Sequence, residues 1–176
     1  MIDTILRKFH LIKNIEISLP ISKLEFSKRF RENVTESDLG FNLFSGFEVF
    51  SSNKNDYKGF ISNTTFKLKR IKKLFDNNAH MAIANGKIIE DTNGIHLKIE
   101  VKAYTKFLLF FYSFLAFFYS IFLVGILFTG QDQAFFIIPF ILIHAAFMIL
   151  IPYFILKRSL KKLESGLEKE FYYWTK

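Results

Sequence analysis

Apolar residues along this chain fall into blocks of different period, and each block predicts an element. Ile2, Ile5, Leu6, Phe9 and Ile12 recur at helical spacing with Arg7, Lys8 and Lys13 between them. That pattern predicts a short helix within residues 1–13, docked on the rest of the domain or lying in a lipid interface. Ile15 and Ile17 then alternate with Glu16 and Ser18 as far as Pro20, a half-buried strand. Ser22 stands three residues ahead of Glu25, a capping box opening a helix to about Asn33, with Leu24, Phe26 and Phe30 available for burial.

From Leu43 onward the period is two. Strands are expected over 44–50 and 57–61 around a Ser-Asn-Lys-Asn-Asp turn at 52–56, with a third over 65–71 and a fourth over 81–89. Within the last of these, Asn85-Gly86 reads as a tight turn or a bulge. Asp91-Thr92-Asn93-Gly94 leads into the cleanest alternation, in which Ile95, Leu97, Ile99 and Val101 oppose His96, Lys98, Glu100 and Lys102. Five or six antiparallel strands with one packed helix make residues 1–105 an α+β domain.

A different pattern follows. Residues 107–128 and 134–156 contain no charged side chain, 22 and 23 residues respectively. At helical rise each stretch reaches about 33 Å, enough for a hydrocarbon core of about 30 Å. The five residues between them force a tight antiparallel hairpin, so 106–156 is expected to be a two-helix membrane hairpin. A domain this small has too little surrounding structure to bury two such helices in a soluble core. After it, Leu160, Leu163, Leu167 and Phe171 form an apolar stripe, so 157–176 reads as an amphipathic helix. That helix either packs on the sheet or another subunit, or bends at Gly166 and rests its aromatic end among lipid headgroups.

Charge sets the topology. The net charge is +8, yet residues 107–156 carry only Asp132. Lys98, Lys102 and Lys106 precede the first span, Lys157, Arg158, Lys161 and Lys162 follow the second, and the turn has no basic residue. The positive-inside rule then places both termini in the cytoplasm. No secretory signal precedes the domain, because Asp3, Arg7 and Lys8 interrupt the first apolar residues. Nineteen Lys against five Arg, with abundant Asn, Ile and Phe, is AT-rich codon usage and suggests a bacterial inner membrane.

Candidate chemistry is sparse. There is no cysteine, which removes disulfides and thiol nucleophiles. His10, His80, His96 and His144 form no metal-spaced pair, and no phosphate-loop or nucleophile-elbow motif occurs, so neither metal nor cofactor is expected. The basic run Lys67, Lys69, Arg70, Lys72 and Lys73 is the sharpest soluble feature. It reads either as a solvated edge or as a contact for anionic lipid or a phosphorylated ligand. Nucleic acid is not expected, since no aromatic-basic binding motif accompanies it.

Within the membrane stretch His144 is the only ionisable residue besides tyrosines, hence a functional candidate. Residues whose numbers sum to about 262 lie at one depth, which offers it Tyr119 or Ser120 as a partner. The same arithmetic sets Ala116 opposite Ala146, and Ser113, Ala116 and Ser120 make a small-residue face for close approach. Pro139 and Pro152 are expected to kink or interrupt the second helix.

These features point to a non-catalytic integral-membrane protein whose membrane-proximal domain binds a partner protein, a lipid or a small ligand. Its expected partners are the bilayer and another membrane protein or a second copy. The alternative is an oligomeric membrane effector or channel gated by the domain, and a third reading is a lipid-modifying enzyme using His80, His96 and Glu90.

Overall fold

The computed structural model describes residues 2–37, 39, 55–71, 81–103, 106–128 and 131–176. The chain divides into two compact units, Met1–Tyr104 with Leu156–Lys176, and Thr105–Ile155. The expected strand over 44–50, most of the turn after it, Lys72, Lys73 and His80 lie outside the described residues.

The first unit is a six-stranded mixed sheet with helices. Its strands are β1 (Ile12–Leu19), β2 (Val34–Glu36), β3 (Tyr57–Ile61), β4 (Thr65–Arg70), β5 (Ile83–Asp91) and β6 (Gly94–Lys102), in the order β1-β6-β5-β4-β3-β2. Every pairing is antiparallel except β2 with β3, a three-residue parallel edge that alternation did not predict. Helix α1 (Ile2–Lys8) ends with His10 at φ 57, while the amides of His10 and Leu11 donate back to the carbonyls of Arg7 and Leu6. This is the Schellman arrangement, with His10 in the left-handed position usually given to glycine.

One face of the sheet is the core. The register aligns Val101, Ala84 and Leu68 in one row and Ile99, Gly86 and Phe66 in the next. Helix α2 (Lys23–Asn33) begins where the sequence predicts, with the Ser22 hydroxyl accepting from the Glu25 amide at 3.2 Å. It buries Phe26 and Phe30, but Leu24 is 82% exposed, because it lies two positions from Phe26 and so on the opposite side of the helix. The C-terminal part of α4 (Gln131–Tyr173) buries Leu156, Leu160, Leu163, Leu167 and Phe171 in the same unit, and Trp174 follows them. Phe26, Phe66 and Phe171 meet pairwise with ring centroids 5.6–5.8 Å apart, and Trp174 lies 4.9 Å from Phe171.

Two glycines make this packing possible. Gly86 is no turn: it sits inside β5, opposite Phe66, where an added Cβ would lie 2.0 Å from that ring. The absent side chain lets the ring lie across the strand. Gly166 does not end α4 either; a Cβ there would meet the Tyr57 hydroxyl at 2.7 Å. Ser159, buried on α4, accepts from the Met81 and Ala82 amides at 2.9 and 3.1 Å and so satisfies the chain entering β5.

The second unit holds α3 (Lys106–Leu127) and the start of α4, two helices long and apolar enough to cross a membrane. Most of their described large side chains are exposed, Phe110 at 70% and Phe140 at 72%. Pro139 and Pro152 lie inside a continuous α4 and do not interrupt it.

Candidate functional site

Opposite the core, the sheet has a polar outer face whose composition follows from the register. One cross-strand row runs Glu16, Lys98, Lys87 and Thr65. The next runs Asn14, Glu100, Asn85, Lys67 and Phe60, and a third Ile12, Lys102, Ile83, Lys69, Lys58 and Thr35. The first two rows line an open concavity of about 610 Å³. Two like-charged pairs stand directly opposite each other, Lys87 with Lys98 and Lys58 with Lys69. Such pairs cost stability, since cross-strand Cβ atoms lie only about 5 Å apart.

The acidic groups on this face are already engaged. Glu100 accepts from Arg7 at 2.5 Å and lies 3.0 Å from Lys102, which also reaches Asp3 at 3.3 Å. These pairs pin α1 to the outer face, so the first helix docks as one of its two expected roles required. The hydrogen bond to Glu100, followed by that to Asp3, holds the Lys102 ammonium above its ordinary pKa against the opposing effect of burial. Glu16 lies 3.9 Å from Lys98 and 3.4 Å from His96 Nε2. Lys67 and Lys87 have no carboxylate within ion-pair distance among the described residues. In the cavity wall the Asn85 Oδ1 is buried and has no hydrogen-bond partner there.

The basic run read from the sequence is therefore not one patch. Lys67 lines the cavity, Lys69 stands in the adjoining row, and Arg70 shares the core-facing side with Tyr57. Burial and the nearby Glu170 push the Tyr57 phenol up to about 12. Lys87, Lys98 and Asn85, which complete the site, were absent from that run. Alternation assigns Lys98 to the polar side, but only strand pairing brings it to Lys87.

Two further groupings resemble chemistry. Ser18 Oγ lies 3.0 Å from His96 Nδ1, and Glu16 lies at the other ring nitrogen, a nucleophile, base and acid by type. Ser18 and Glu16 are solvent-exposed, and strand amides point within the sheet plane rather than toward this face, so the strands supply no donors for an oxyanion. Glu90, grouped with His96 in the lipid-modifying reading, pairs with Lys23 at 3.1 Å on the core-facing side. Among the described residues no three acidic or histidine side chains gather to hold a metal ion.

In the hairpin unit His144 Nδ1 lies 2.7 Å from the Tyr119 hydroxyl, one of the two partners that depth along the hairpin offers. Ser120 does not compete, because its hydroxyl donates to the Ala116 carbonyl of its own helix at 2.8 Å. Tyr112 donates to the Ile149 carbonyl at 3.2 Å. Ser113, Ala116, Ser120 and Ala146 are exposed, whereas Leu115 is buried and Tyr112 and Tyr119 half-buried. The expected small-residue contact is thus replaced by a seam of larger side chains. Of the residues expected to set the topology, Lys102 is the ion-paired end of β6, Lys106 opens α3, and Lys157, Arg158, Lys161 and Lys162 follow one another along α4. Comparison with protein-family models, curated proteins and solved structures finds no match to this chain.

Proposed function

We propose that the chain is a non-catalytic integral-membrane protein that tethers a recognition module to the bilayer. In this reading α3 and the first part of α4 cross the membrane, and the sheet unit binds a partner, a lipid or a small ligand in an accessory or sensor role. The supporting observation is the unburied apolar circumference of these two helices, which in water would be an exposed patch far beyond what a soluble monomer sustains. The basic outer face, with Lys67 and Lys87 lacking acidic partners among the described residues, supports recognition of an anion over catalysis. A bacterial inner membrane with both termini cytoplasmic fits the lysine-rich composition and the uncharged turn between spans.

Alkaline carbonate extraction of membranes expressing the chain tests the first part, with retention in the pellet expected and release into the supernatant overturning it. The absence of native cysteine makes topology directly measurable. Asn63→Cys is expected to label with a membrane-impermeant maleimide only from the cytoplasmic side, and Gln133→Cys only from the opposite side. Labelling of both from one side contradicts a two-span hairpin.

A further inference from the structure

Resting on the reading of the sheet as a recognition module, we propose that the concavity on its outer face binds a phosphorylated polyol. The phosphate sits between Lys87 and Lys98 with Lys67 beside them, and a polyol hydroxyl meets Asn85.

The argument begins with the directly opposed Lys87 and Lys98, a pairing that repels when the face is empty and attracts once a dianion lies between the ammonium groups. Lys67 stands on β4 next to the Thr65 that faces Lys87, so a third cation borders the same space. Glu100 does not oppose an anion there, because Arg7 and Lys102 already neutralise it. Glu16, 3.9 Å from Lys98, gives up that contact as the phosphate takes the ammonium and then accepts a hydroxyl.

Phosphate alone leaves one requirement unmet. The Asn85 Oδ1 is covered in the cavity wall without a partner among the described residues; it can only accept, and a donor reaches it as the side chain turns toward the cavity. Its complement is a hydrogen-bond donor carried alongside the phosphate. A polyol supplies hydroxyls for Asn85, for Thr65 and for Glu16 together. The cavity of about 610 Å³ is within the usual range for small-ligand sites. Free polyol phosphates offer the dianion, and the phosphatidylglycerol headgroup offers the same pairing of phosphate and polyol hydroxyls with a single charge, since its phosphate is a diester.

The test is calorimetric titration of the full chain in detergent with glycerol 3-phosphate, inositol 1-phosphate, inorganic phosphate and glycerol. Nanodiscs of phosphatidylglycerol or phosphatidylcholine form a parallel series. At least tenfold tighter binding of a polyol phosphate than of inorganic phosphate is expected. Lys87→Gln should weaken it about tenfold, and Asn85→Ala should reduce it to the level of inorganic phosphate. Lys69→Gln, outside the cavity on the same face, should leave it unchanged. Saturable, Lys87-dependent binding confined to phosphatidylglycerol nanodiscs identifies the lipid as the source. Equal weak binding of all anions, indifferent to Lys87→Gln and Asn85→Ala or equally sensitive to Lys69→Gln, overturns the site. Carbonate resistance and maleimide labelling are independent of that result, so the membrane reading fails or stands separately. Trp174 emission verifies that each variant retains the folded core.

Discussion

Replacing Gly86 with alanine tests the core packing most sharply. The new Cβ would lie 2.0, 2.1 and 2.7 Å from Phe66 ring carbons, whereas carbon atoms in contact prefer about 3.5–4.0 Å. The ring must therefore recede by well over an ångström. It is fully buried, with Phe26, Phe30 and Phe171 at centroid distances of 5.7, 5.6 and 5.8 Å, so its retreat displaces a whole aromatic cluster. Overpacking of this kind costs about 3 kcal/mol, the upper part of its usual range. Against it, alanine in a strand gains about 0.5–1 kcal/mol over glycine. The expected net loss is about 2 kcal/mol, roughly a thirtyfold change in the folding equilibrium. The assay is urea unfolding of the full chain in detergent, followed by Trp174 emission. Trp174 is the sole tryptophan and packs on Phe171 and Phe26, so its signal reports this core. Phe66→Leu removes the far end of the ring, and a double-mutant cycle should show favourable coupling of about 1–2 kcal/mol. A neutral Gly86→Ala, or strictly additive changes, would refute the proposed packing of Phe66 across the strand.

Three other outcomes follow from the same geometry. Lys87→Gln should raise stability by about 0.2–1 kcal/mol in the absence of ligand, with the gain shrinking at high salt, because it removes a directly opposed like charge; a loss in urea titration contradicts the register. Tyr57 ionises near 10 when unfolded and at about 12 when folded, so the unfolded state releases its proton first and stability declines as pH rises through that window. The decline should be up to about 2 kcal/mol after allowing for screening, and a Tyr57→Phe variant that declines equally would exclude this residue as the cause. Tyr119→Phe leaves His144 without its hydroxyl and should cost about 0.6–1.7 kcal/mol, read as a lower melting temperature in nanodiscs, while no change would show the pair to be energetically idle.

The chain by itself determines features that depend on local period, local capping and length. The uncharged stretches from Phe107 and Ala134, the alternation from Ile95 to Val101, the Ser22 cap and the Leu160 to Phe171 stripe all reappear as elements because each is a relation among residues a few positions apart. Tyr119 and Ser120 are legible as alternative partners of His144 for a related reason, since a tight turn equates depth along two antiparallel helices with a sum of residue numbers, and the structure decides between them. Depth does not specify azimuth, however. Ala116 is one residue beyond the buried Leu115, hence about 100° around the helix, and is exposed despite its expected depth opposite Ala146. Tertiary structure also decided which lysines meet. Lys87 and Lys98 are consecutive across one row only because β5 pairs with β6 in this register, and a slip of one residue would exchange the faces. Gly86 shows the same dependence: by local chemistry Asn-Gly suits a turn, yet the space left by its missing side chain is taken by Phe66 from the neighbouring strand. The candidate site is a set of contacts across strands, and no local pattern along the chain specifies those contacts.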